Sequence, residues 1–176
     1  MKLDEIIKDE IRRSVAFFLD FTNLKTDSRG FGLTADSTKT PERASIASVG
    51  YALTTWVIAA ERGILPKDTA HRITVGTLKT LLNNASQFKG FFAHFLETET
   101  GKRYGKAEFS TIDTAICLNG VITASAYFHD KEISQLAEAV LERVDWGFLV
   151  FEQDGKSLFH MSYNPDRGGS YVTDKP

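Results

Sequence analysis

Four carboxylates, Glu97, Glu99, Glu108 and Asp113, fall within residues 87–115, QFKGFFAHFLETETGKRYGKAEFSTIDTA, beside Phe91, Phe92, Phe95, Tyr104 and His94. The segment runs directly into an uncharged apolar stretch. Acids and flat aromatic faces gathered at a helix entrance suit the binding and cleavage of a sugar chain. One protonated carboxyl would assist the leaving oxygen, and one ionised carboxylate would activate water or attack carbon. Ser110-Thr111-Ile112-Asp113 also spells an S-x-x-D capping box, in which Asp113 only satisfies backbone N–H groups at a helix start. Residue types alone leave both roles open.

Glu108 and Asp113 are the candidate catalytic pair. Glu108 falls just outside the helix that follows, with the solvent access and loop freedom to reach a ligand; its alternative is a solvated loop acid. Asp113 falls in the first helical turn, where the positive helix end favours the ionised form. It therefore suits a base or an acceptor from a sugar hydroxyl better than a proton donor. Phe92, Tyr104, Trp146 and Tyr163 lie near predicted loop or hairpin ends and are candidate sugar-stacking rings, against the commoner role of aromatics as core. His94, flanked by Phe92 and Phe95, reads either as a buried hydrogen-bonded histidine or as a contact to sugar hydroxyls. Glu97 and Glu99 precede the turn signal Thr100-Gly101 and read as solvated.

Other chemistries lack their motifs. His71, His94, His129 and His160 show no HExxH spacing and no cysteine partners, so no metal site is expected. No GxGxxG or P-loop is present, and no nucleotide or other cofactor is expected. Ser45 and Ser48 lack an acid–base partner and read as small packing residues.

The elements that must position these residues are mostly helical. Residues 3–20 form an amphipathic helix with Ile7, Ile11, Val15 and Phe18 on one face. Residues 23–40 are loop. Thr40-Pro41-Glu42 reads as a helix start, and the second helix runs uncharged from Ser45 to Ala60 before stopping at Gly63. A third helix spans about 66–84, a fourth 110–128 and a fifth about 131–145. Residues 146–161 read as a β-hairpin turning at Asp154-Gly155.

Amphipathic helices one, three and five thus alternate with uncharged helices two and four, the order an outer and an inner helical ring would produce. Each helix pair takes about 60 residues, so a closed ring of six pairs needs about twice the 176 residues here. The chain is expected to be a single domain over 1–176, all-α, forming half of a toroid. A net charge of −2 with no basic stripe gives no electrostatic case for nucleic acid. No stretch approaches the ~18 apolar residues of a membrane span. The N-terminus MKLDEIIKDEIRR is neither signal peptide nor lipidation site. With the single cysteine Cys117, a reducing, cytoplasmic setting is the expectation.

The stretches ASIASVGYAL (44–53), ERGIL (61–65), GFFAHFLETETGKR (90–103), EFSTIDTA (108–115) and VDWGFLVF (144–151) resemble the bacterial glucoamylase-like glycoside hydrolases, which include endo-β-1,2-glucanases. The combination of EFSTIDTA with GFFAHF carries most of the specificity. The resemblance implies an (α/α)6 toroid with its groove at the N-terminal ends of the inner helices. By the same resemblance, a β-linked glucan, in particular a β-1,2-glucan, would be cleaved by a pair of carboxyl groups. That family continues well beyond MSYNPDRGGSYVTDKP, and at least one catalytic acid is expected in the continuation. Residues 1–176 are therefore expected to be an incomplete hydrolase that either self-associates through an open inner-helix flank or is only marginally stable. The alternative is a non-catalytic helical module for carbohydrate binding or protein interaction.

Overall fold

A computed structural model describes residues 3–171. Five helices carry the fold: α1 (Leu3–Phe21), α2 (Ile46–Glu61), α3 (Lys67–Asn83), α4 (Thr111–Phe128) and α5 (Lys131–Leu141). The helices α2 and α4, uncharged but for Glu61 at the end of one and Asp113 in the first turn of the other, pack against each other at the centre, and α1, α3 and α5 lie outside them. Trp56, Leu53 and Val49 of α2, Leu78 of α3, Val121 of α4 and Ile133 of α5 are fully buried in one continuous core. Each such side chain contributes about 1.5–3 kcal/mol by leaving water. Phe18 of α1 meets Trp56 edge-on, with ring centroids 6.4 Å apart.

The central pair crosses on glycine. A Cβ placed on Gly120 would lie 2.1 Å from the Gly50 carbonyl oxygen, and one on Gly50 would lie 2.5 Å from the Ile116 carbonyl oxygen. Backbone therefore meets backbone, which brings the N-terminal ends of α2 and α4 close together. Each of the two helices also keeps large apolar side chains open to solvent. Tyr51 and Ile58 of α2 are 56% and 40% exposed, and Ile112 and Ile122 of α4 are 59% and 51% exposed.

Short strands fill the space around the helix entrances, a feature the sequence reading missed apart from the C-terminal hairpin. They are β1 (Arg43–Ser45), β2 (Gln87–Phe88), β3 (Phe91–Phe92), β4 (Phe95–Glu97), β5 (Phe109–Ser110), β6 (Val150–Gln153), β7 (Lys156–Phe159), β8 (Ser162–Asn164) and β9 (Gly169–Tyr171). β1 pairs antiparallel with β4, placing Ser45 opposite Phe95. An isolated bridge joins Ala93 to Phe109, and β5 continues through β8 to β9. The pairs form a belt across the mouths of both inner helices.

This belt corrects two helix boundaries. Residues 40–42 do not begin α2, because β1 is drawn into pairing with β4 and the helix starts only at Ile46. α5 ends at Leu141 rather than near Asp145: the Asp145 amide donates to the Lys89 carbonyl at 2.9 Å, and Trp146–Leu149 form a 3-10 turn. The hairpin forms as expected from β6 and β7. Asp154 and Gly155 both have positive φ, 53° and 70°, as a two-residue hairpin turn requires.

Candidate active site

His94 is held in place by its backbone before its side chain is considered. Its amide donates to the Glu108 carbonyl at 2.8 Å, and its carbonyl accepts from the first amide of α2, Ile46, at 3.0 Å. The helix start thus has one of its otherwise unsatisfied N–H groups met by the segment that carries the site. On the other side the Phe92 amide donates to Oγ1 of Thr114, in the first turn of α4, at 2.9 Å. Residues 92–94 therefore tie the two inner-helix entrances together.

The His94 side chain then joins the two candidate carboxylates. Its Nδ1 lies 2.7 Å from Glu108 Oε1, and its Nε2 lies 3.9 Å from Asp113 Oδ2. The imidazole stacks on Phe95 at 3.8 Å between centroids, and the Arg43 guanidinium sits 4.4 Å from the Phe95 ring centroid. Arg43 is in turn paired with Asp36 at 3.0 Å. The side chains of His94, Glu108 and Asp113 keep 28%, 35% and 16% of their exposure. All three are partly shielded and all three remain reachable.

The charges are coupled. Burial works against the charged imidazole, but the hydrogen bond to Glu108 and the nearby charges of Asp113, Glu108 and Asp36 outweigh it, raising His94 above its ordinary value. The hydrogen bond from His94 holds the Glu108 carboxyl below its ordinary value, against a smaller effect of burial. Asp113 also forms the capping box: Ser110 Oγ accepts from the Asp113 amide at 3.2 Å and donates to Asp113 Oδ2. The capping residue and the candidate site residue are thus the same. The capping hydroxyl orients the carboxylate, and that carboxylate faces His94.

The structure separates the remaining candidates. Phe92 is only 3% exposed and belongs to the core, so the stacking role considered for it is corrected to packing. Tyr104 is partly exposed on the turn after β4, its amide bonded to the Phe95 carbonyl at 2.9 Å. Trp146 is partly exposed and meets Phe91 edge-on at 5.5 Å and Phe159 at 6.0 Å. Tyr163 stacks on Phe88 at 4.7 Å and lies opposite Phe109 across β5 and β8. Glu97 and Glu99 point elsewhere: Glu97 accepts from Thr100, and Glu99 pairs with Lys25. Arg43, Phe95 and Ser110 were not picked out as site residues. Ser110 was visible as part of the capping box, whereas Arg43 and Phe95 come together only through the β1–β4 register. Among the described residues no group of three or more His, Cys, Asp or Glu side chains is arranged to hold a metal ion.

No family model and no curated protein sequence matches the chain. Solved structures do. A candidate glucoamylase from Bacteroides uniformis superposes with a TM-score of 0.78 at 19% identity, covering 94% of this chain and 41% of its own. The fold is glucoamylase-like. An endo-β-1,2-glucanase from Chitinophaga pinensis, solved with sophorotriose and glucose, gives 0.76 at 16% identity over 94% of this chain and 42% of its own. A β-1,2-glucanase from Parabacteroides distasonis gives 0.76 at 18%, covering 95% and 25%. The chain therefore spans less than half the length of each, and its five helices with their strand belt correspond to part of a toroid. Among the described residues no helix is long and apolar enough to cross a membrane.

Proposed function

We propose that this chain forms one wall of the substrate groove of a glycoside hydrolase acting on a β-linked glucan, with β-1,2-glucan the leading substrate. In this reading it is half of an (α/α)6 toroid, and it works in a reducing, cytoplasmic setting. The observation that carries the reading is the Glu108–His94–Asp113 cluster at the joined entrances of α2 and α4, on a fold shared with glucanases. Glu108 and Asp113 supply carboxyl groups to the reaction, His94 contacts sugar hydroxyls, and Tyr104, Trp146 and Tyr163 offer ring faces along the wall. Residues 1–176 alone have no measurable turnover, because a glycosidic bond must be held between two opposed carboxyls and a single wall cannot hold it.

The test is incubation of residues 1–176 with linear β-1,2-glucan, measuring both binding and new reducing ends. Binding without hydrolysis is the expected result. Robust turnover abolished by Glu108→Gln would make the chain a complete enzyme. Failure to bind β-1,2-, β-1,3- and β-1,4-glucans alike would remove the reading.

A further inference from the structure

His94 occupies a position that neither carboxylate alone explains. Its two ring nitrogens face two different acids, on the segment before β5 and on the first turn of α4. The first contact is a direct hydrogen bond, and the second, at 3.9 Å, is too long for one. An oxygen atom about 2.8 Å from each can be held beside this pair, about 2 Å to the side of the line joining the ring nitrogen and the carboxylate oxygen. A hydroxyl matches both sides at once, accepting from Nε2–H and donating to the carboxylate. A cation would be repelled by the ring N–H, and an anion by Asp113.

We propose that His94 is a positioning residue: hydrogen-bonded through Nδ1, it fixes the Glu108 carboxyl and, with Asp113, forms a donor–acceptor seat for a single hydroxyl of the glucan. This rests on the reading of the wall as a glucan-binding surface. The seat is stiff because every part of it is anchored. The His94 backbone is bonded on both sides, its ring lies on Phe95, and Asp113 is oriented by Ser110. The charged groups acting on His94 are Glu108, Asp113 and Asp36, with Arg43 beyond the Phe95 ring and Arg167 acting on Glu108. The acids outnumber the bases near the ring, and they favour the charged form of the imidazole against the opposing effect of burial.

The experiment is an NMR titration of the His94 ring in residues 1–176, in the unsubstituted chain and in the Glu108→Gln and Asp113→Asn variants, without and with sophorotriose. His94 should titrate above 6.5 in the unsubstituted chain and lower in both variants. Sophorotriose should move its ring resonances, and His94→Phe should weaken sophorotriose binding about tenfold, with His94→Gln losing less. A ring that titrates at its ordinary value and ignores both substitutions would overturn the inference without any ligand. Sophorotriose bound equally well by His94→Phe, with the ring unmoved, would overturn the seat and leave the wall reading standing. Sophorotriose that fails to bind the unsubstituted chain would bring down the wall reading and the seat with it, while the titration alone would still judge the clamp on Glu108.

Discussion

Gly120→Ala places a methyl group at the closest backbone approach in the molecule's centre. The new Cβ would sit 2.1 Å from the Gly50 carbonyl oxygen, about 1.3 Å short of the 3.4 Å at which ordinary contact begins. The obstacle is backbone, so no rotamer change relieves it and α2 and α4 must part. Overpacking of this kind costs about 1–3 kcal/mol, and the upper end applies where nothing can rotate away. Alanine returns about 1 kcal/mol through its higher helix propensity. The net loss is about 2 kcal/mol, or roughly 4–8 °C in Tm for a chain of this size. Gly50→Ala meets the same crossing from the other side, so the double variant should cost less than the two single losses added. Gly147→Ala is the control: its Cβ meets nothing nearer than 3.6 Å, and its effect should stay within about 0.5 kcal/mol. Urea titration and calorimetry of the four variants check these values. A Gly120→Ala chain as stable as the parent, or more so, would show that helix propensity wins and that the inner helices do not cross on glycine.

Glu108→Gln should lower stability by about 1 kcal/mol after screening of this partly exposed pair, in a pH-dependent way. The Glu108 contribution is present above its ordinary 4.5 and lost as pH falls through its lowered folded pKa; that of His94 is present below 6.5 and lost as pH rises through its raised folded pKa. The difference in Tm between parent and variant should therefore peak between pH 4.5 and 6.5, and a flat difference would contradict the pairing. The buried Cys117 thiol, pushed up to about 12 by burial, should react with a disulfide reagent only as fast as the chain unfolds; rapid labelling of folded protein would contradict its placement. Residues 1–176 should self-associate through Tyr51, Ile58, Ile112 and Ile122, and Ile122→Lys should shift light scattering toward monomer. A parent chain that is monomeric at high concentration would contradict this.

The helices were legible because their signals are local and repeated. Period, charge distribution and the Gly63 stop placed α1, α3 and α4 within a residue or two at both ends, and α2 and α5 at one end each; the alternation of charge-rich and apolar helices gave the two layers. The start of α2 differs from its local signal because Pro41 and Glu42 carry a sound helix start, which β1 overrides through partners 50 to 54 residues away at Phe95–Glu97. Two- and three-residue strands have no period to read, so the belt left no trace in the sequence. For the site, the acids were visible as types and the Ser110–Asp113 box as a spacing. Whether Asp113 was cap or site residue could not be chosen from sequence, and the structure gives it both contacts. His94 as the link between the acids depends on the Ala93–Phe109 bridge, a long-range pairing that composition does not encode. Phe92 failed as a stacking candidate because consecutive Phe91 and Phe92 are both drawn into the core.

The open flank and the carboxylate cluster meet at one point in the chain. Ile112 is among the most exposed large apolar residues of α4, and its neighbour Asp113 faces His94. Whatever covers Ile112 must therefore bring its own side chains to the edge of the cluster. The cluster itself presents one carboxylate hydrogen-bonded to the imidazole and a second 3.9 Å from it, a combination suited to holding sugar hydroxyls in the proposed reading. Ile112→Lys separates the two roles. It should oppose burial of the flank while leaving the His94–Glu108 hydrogen bond, and hence the raised His94 titration, in place. If the same substitution abolished that titration shift, the cluster would depend on flank packing rather than on the strand belt, and the wall could not be preassembled.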